Sequence, residues 1–268
     1  MRNIYKTFTL FFILISVFSS CSKKGCTDPM SLAYDVEASK DDGSCTYPEN
    51  VKKSLVLKVT ATWCPPCGDW GAEYVNNIYN DFSGNAEVIS VHDDSDFGVD
   101  IGYNFMSILN PTGVPSFYLG LDPMGNSGYG NVSDLISADL STTNQVSMAV
   151  EHSILDGNMI IRVQSQLENQ FSGDNCYLAL YIMEDGQVAP QQVSGVGEVV
   201  DYVHNHTLRT EANGSTFGMP ITFDNGKNLT EVTAALVPNP IWNHENLYVV
   251  AVIWHQNGSS YDFINLAR

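Results

Sequence analysis

The chain has 268 residues, 44% of them hydrophobic and 11% aromatic, and 12 Lys+Arg against 30 Asp+Glu give a formal net charge of -18. Disorder along the whole length is excluded by that apolar content, and at about 100–200 residues per domain the length suggests two domains. A nucleic-acid or polyanion surface is excluded as well. After Lys58 the only Lys or Arg residues are Arg162, Arg209, Lys227 and Arg268, which do not make the basic stripe that phosphate contacts need.

Residues 1–20 combine Arg2 and Lys6, an apolar run from Phe8 to Phe18, and Ser19 and Ser20 directly before Cys21. That order reads as a secretory signal peptide, and the run is too short for a bilayer core that takes roughly 20 residues. The Val17-Phe18-Ser19-Ser20-Cys21 ending resembles a bacterial lipoprotein box. The resemblance implies lipidation of Cys21, membrane attachment through that lipid alone, and a periplasm-facing place on the outer membrane.

In an oxidising compartment the cysteines sort by spacing. Cys26 and Cys45 bracket a stretch rich in Pro, Gly and Asp that has no core of its own, so they are expected to form a structural disulfide, contributing roughly 3 kcal/mol in the chain-entropy picture. Residues 21–50 then read as an acidic, disulfide-stapled spacer. The stretch from Gly25-Cys26-Thr27-Asp28-Pro29 to Asp41-Asp42-Gly43-Ser44-Cys45 resembles a short module of bacterial envelope proteins. Asp28, Asp35, Asp41 and Asp42 are hard oxygen ligands that suit calcium, but the full EF-hand spacing is absent, so a solvated spacer is the simpler reading. Cys176 falls in the apolar run Cys176-Tyr177-Leu178-Ala179-Leu180-Tyr181 and reads as a buried, unpaired strand residue.

Cys64 and Cys67 form a CxxC. The run Leu55–Thr60 predicts a strand ending just before it. Residues 69–82, with Trp70, Tyr74, Ile78 and Phe82 at helical spacing, predict the following helix. Pro65 and Pro66 suit a first helical turn, whose N–H groups are unpaired anyway. Free amides there stabilise a thiolate, so Cys64 is the expected attacking sulfur and Cys67 the resolving one in a mixed-disulfide exchange. Zinc would want a second cysteine or Cys/His pair at matching spacing, and His92, His152 and His204 are scattered. A structural short-loop disulfide stays open on spacing alone.

Ala61-Thr62-Trp63-Cys64-Pro65-Pro66-Cys67 resembles the active-site segment of periplasmic thioredoxin-like proteins, and Thr112-Gly113-Val114-Pro115-Ser116-Phe117-Tyr118-Leu119 resembles their loop and following strand. The resemblance implies an α/β thioredoxin-like domain over 51–145, with a cis Pro115 packed on the CxxC. The catalytic set would be Cys64, Cys67 and Pro115, with Trp63 and the backbone of Val114 meeting substrate. Two departures stand out: Lys58 takes the place of the family's buried acid, and Gly68 follows the motif where a cation is common. His92, after the second expected strand of 86–92, is a candidate to tune the thiolate, or else a plain strand-end residue.

A helix around 99–109 and a last helix over 131–145, capped by Asn131 or Ser133, complete this half. Beyond it, strand-like runs at 146–155, 158–167, 176–183, 196–203, near Ile221, 230–236, 247–254 and 263–266 suggest an antiparallel β-sandwich over 146–268. Tyr202-Val203-His204-Asn205-His206-Thr207-Leu208-Arg209, with Gly214 and Gly218, widens the likeness: residues 52–268 resemble the outer membrane protein 28-like envelope lipoproteins, which pair the two kinds of domain. His204 and His206, at i and i+2, would share one strand face and could join a metal site with a further ligand. The expected function is a membrane-anchored thiol–disulfide oxidoreductase acting on protein clients in the envelope, without resident metal or cofactor. The alternative is a non-catalytic binding or assembly module.

Overall fold

The computed structural model describes residues 22–125, 127–236 and 242–268; the signal segment 1–20 and Cys21 lie outside them. The first half forms strands β1 (Ser54–Thr60), β2 (Ala86–His92), β3 (Ser116–Leu119) and β4 (Asp122–Pro123), with helices α1 (Pro65–Gly68), α2 (Trp70–Asp81), α3 (Asp100–Leu109) and α4 (Tyr129–Leu140). The second half adds β5 (Val146–Leu155), β6 (Asn158–Leu167), β7 (Cys176–Glu184), β8 (Gln187–Val193) and β9 (Gly197–His204). It continues with β10 (Thr207–Glu211), β11 (Met219–Pro220), β12 (Lys227–Ala235), β13 (Leu247–Asn257) and β14 (Ser260–Ala267).

The expected α/β thioredoxin-like domain followed by a separate sandwich is not what forms. The strands of both halves join one nine-stranded mixed sheet in the order β14-β13-β7-β10-β2-β1-β3-β4, with β11 on β7. The seam is β10, which runs parallel to β2 at Thr207 and Ser90 and antiparallel to β7 on its other side. The physical reason lies in β7 and β13, whose side chains are apolar on both faces and buried along most of their length. Such strands need cover on two sides and sit in the middle of a layered fold.

That cover differs along the sheet. On one face, Leu57, Val59, Ile89 and Val91 from the first half share a core with Tyr181, Val252 and Trp254 from the second, around Phe105 of α3. On the opposite face α2 and α4 bury Val56, Val88 and Phe117. Beside them a second sheet, β12-β6-β5, buries Leu178, Leu180, Ile182, Val249 and Ile253.

Several local expectations shift for local reasons. The helix expected from 131 begins at Tyr129 behind Gly128, whose φ of 96° only glycine adopts easily, and it ends at Leu140. Asn131 and Ser133 therefore lie inside the helix, and the Asn131 amide donates to the Met124 carbonyl instead of capping. β8 and β10 were not expected: one carries Pro190 at a register shift and the other is short and polar. Ile221 follows the two-residue β11 and is not in a strand. The stapled segment leans on β6, where Arg162 Nη1 donates to the Leu32 carbonyl (2.9 Å) and Gln164 Nε2 to that of Met30 (2.7 Å).

Candidate active site

In the parallel pair β1–β2, Lys58 stands opposite Ser90 and Thr60 opposite His92. Because side chains alternate across a strand, these four share a face with Val56 and Val88. That face changes from apolar to polar along the strands, and the CxxC follows β1 at the polar end. Cys64 caps α1 and Pro65 and Pro66 open it. The backbone N–H of Cys67 donates to Cys64 Sγ (3.2 Å), and the two sulfurs are disulfide-bonded. At Asp69 the backbone leaves the helical region before α2 begins, so the motif occupies a turn of its own.

The Val114–Pro115 peptide is cis, and the Val114 carbonyl lies 3.4 Å from Cys64 Sγ. Pro115 seats on α2 where residue 71 is glycine: a Cβ there would stand 2.9 Å from Pro115 Cγ. Trp63 is 57% exposed and held by its indole N–H, which donates to the Asp93 carbonyl (2.9 Å). The structure thus brings Trp63, Cys64, Cys67, Val114 and Pro115 together.

Sequence reasoning missed the β8–β9 hairpin, which closes over this motif. Gln192 N–H donates to the Thr62 carbonyl (2.8 Å) and Ser194 N–H to that of Pro65 (3.1 Å). The buried amide of Gln191 donates to the carbonyls of Ala61 (3.3 Å) and Cys64 (3.0 Å). A Cβ at residue 68 would come within 2.6 Å of the Gln192 carbonyl oxygen, so Gly68 is what lets the hairpin approach. Cys64 and Cys67 are each only 2% exposed. The one sequence signal for this cover was that glycine directly after the motif.

His92 is buried, and its Nδ1 lies 3.0 Å from Asp94 Oδ2. Burial pushes its pKa below the ordinary value, against the pull of Asp94. Burial also opposes ionisation of Asp94, but hydrogen bonds from His92, Phe97 N–H and Thr62 N–H prevail and hold its carboxyl at about 2. The His204 ring centroid is 5.8 Å from that of His92, and burial, then His92, lowers His204 to about 4. The expected shared face of His204 and His206 is not found. His204 ends β9, whereas His206 has a φ of 58° and stacks on Tyr79 at 4.4 Å.

Among the described residues no group of three His, Cys, Asp or Glu is placed to hold a metal. Asp28, named with Asp41 and Asp42 for calcium, accepts from the Tyr47 hydroxyl (2.6 Å) and lies 3.5 Å from Lys227 Nζ. Asp41 and Asp42 accept from the backbone N–H groups of Gly43 and Ser44 in local turns. Cys26 and Cys45 form the structural disulfide, and Cys176 is a buried free thiol that burial raises to about 11.

The fold is similar to that of a solved structure, HBP35 of Porphyromonas gingivalis. The match has a TM-score of 0.68 at 15% identity and covers 82% of this chain and 75% of that one. The chain belongs to the family described as outer membrane protein Omp28, whose model matches residues 104–267. That span includes Pro115 and the covering hairpin and begins after Cys64 and Cys67. A crystal structure of a domain of the outer membrane lipoprotein Omp28 from Porphyromonas gingivalis also matches, at 14% identity and a TM-score of 0.34, over 47% of this chain and 86% of that one. No curated protein matches the chain. The family places the protein at the outer membrane of the cell envelope, and among the described residues no helix is long and apolar enough to cross a membrane.

Proposed function

We propose that Cys64 and Cys67 are a redox pair that exchanges disulfides with protein clients in the envelope, on a body tethered through Cys21 and facing the periplasm. The observation that carries the reading is the bond from Cys67 N–H to Cys64 Sγ at the start of α1. A donor at that sulfur favours the thiolate. Cys64 is then the attacking group: its thiolate displaces one sulfur of a client disulfide, and the Cys67 thiolate releases the reduced client while closing Cys64–Cys67. The cis Val114–Pro115 bond beside Cys64 leaves a carbonyl where a client chain would lie, and exposed Trp63 flanks the same place. The stapled segment 22–50 serves as the spacer between lipid and body.

A second reading, a static bond in a binding or assembly module, is favoured by one observation: under the hairpin Cys64 and Cys67 are each only 2% exposed. Equilibration of the pair in glutathione buffers separates the two. A potential near or above about -270 mV, with Cys67→Ser trapping mixed disulfides at Cys64, supports exchange; a bond resisting reduction below about -300 mV, with nothing trapped, supports the static role.

A further inference from the structure

Between the polar ends of β1 and β2 and the covering hairpin lies a cavity of about 190 Å³. Lys58, Thr60, Ser90, His92, His204 and His206 line it, with Cys67 at its wall. No carboxylate lines it, although the chain as a whole carries a net charge of -18. Two acids stand against lining residues: Asp94 Oδ2 lies 3.0 Å from His92 Nδ1 and accepts from the Thr62 N–H, and Asp185 Oδ1 accepts from the His206 backbone N–H and lies 3.5 Å from that ring's Nδ1. Lys58 is 7% exposed, and its Nζ has no hydrogen-bond or ion-pair partner among the described residues. A buried ammonium without a partner is costly, and an anion beside it removes the cost.

We infer that this cavity is a binding site for a small oxyanion, either a phosphate-like ion or a short carboxylate. The Lys58 ammonium supplies the charge, and the Thr60 and Ser90 hydroxyls supply further donors. A cavity of about 150 Å³ accepts benzene, so the volume here admits a ligand of about six to eight non-hydrogen atoms. Lys58, which burial lowers to about 8, still holds its proton at pH 7, whereas His204, lowered to about 4, is neutral there and its Nε2 N–H donates to the Ala189 carbonyl (3.3 Å). The site requires neither reduction nor exchange of the disulfide, so it stands apart from the redox reading.

The test is nuclear magnetic resonance of the histidine rings of the oxidised full chain at pH 7, at constant ionic strength, with inorganic phosphate and acetate each titrated against chloride. Binding shifts His92, His204 and His206 saturably and leaves the exposed His152 and His244 unmoved. Lys58→Met weakens the response at least tenfold, while Lys24→Gln, an exposed control, leaves it unchanged. Saturation by phosphate alone or acetate alone names the oxyanion class. Shifts that stay linear and equal at all histidines, or a Lys58→Met response equal to wild type, overturn the site. The wild-type titration decides the question even if the variant folds poorly.

Discussion

Replacing Lys58 by methionine should stabilise the protein at neutral pH and remove one pH dependence. Burial lowers the Lys58 ammonium from 10.5 to about 8. At about 1.4 kcal/mol per tenfold change in acidity, holding that charge inside the folded protein costs roughly 3 kcal/mol below pH 8. The sign follows from proton counting. Between pH 8 and 10.5 the unfolded chain binds more protons at this residue than the folded one, so wild-type stability gains from it as pH rises. The variant has no such gain. Urea unfolding at pH 7, 8, 9 and 10, in buffers free of oxyanions, should show Lys58→Met more stable by about 3 kcal/mol at pH 7. The difference should shrink steadily toward pH 10.5, leaving only a constant packing offset. Wild-type and variant curves that run parallel across that range would show that Lys58 is not a buried cation, and would refute the reasoning.

His204 works in the acid range. Its neutral form is favoured in the fold, with a pKa of about 4 against 6.5 ordinarily, so the unfolded chain takes the proton first and stability falls as pH drops from 6.5 toward 4. His204→Gln should flatten that fall in acid unfolding curves. Gly68→Ala places a methyl group against the Gln192 carbonyl and should destabilise the protein by about 1–3 kcal/mol. The same change should speed reduction of Cys64–Cys67 by dithiothreitol, read by mass after alkylation; an unchanged rate would mean that the hairpin does not limit access. Cys45→Ser opens a loop whose ends are 19 residues apart, worth roughly 3 kcal/mol. Limited proteolysis should then cut residues 22–50 while the rest of the chain stays intact.

The legible parts of the fold were those whose signals are local. The alternation in 146–155 and 158–167, closed by Asp156-Gly157, gave both strands to the residue, and Leu55–Thr60 with the two prolines placed the CxxC at a turn into helix. The continuity of the sheet was not legible, because the β2–β10 seam joins Ser90 to Thr207, distant residues with no pattern linking them. The apolar run of β7 did hold a clue, since a strand buried on both faces does not suit a two-sheet sandwich with a wet outer side. In the site, Lys58 drew notice only as the residue in place of the family's buried acid, and the imidazoles that share its cavity come from β2, β9 and the turn after β9. Only the folded chain brings them together. The hairpin escaped notice because β8, with its proline and three glutamines, looks like a loop.

Gln191 is 127 residues along the chain from the Cys64 carbonyl that it binds. Synthesis runs from the N-terminus, so Cys64 and Cys67 exist in the growing chain well before the segment that covers them. Until residues 191–194 follow, the turn that carries the pair has no lid, and the hairpin can close only late in folding. The cover is thus the most long-range part of the site, and the rate at which a reductant reaches the folded pair will report how often that late contact opens.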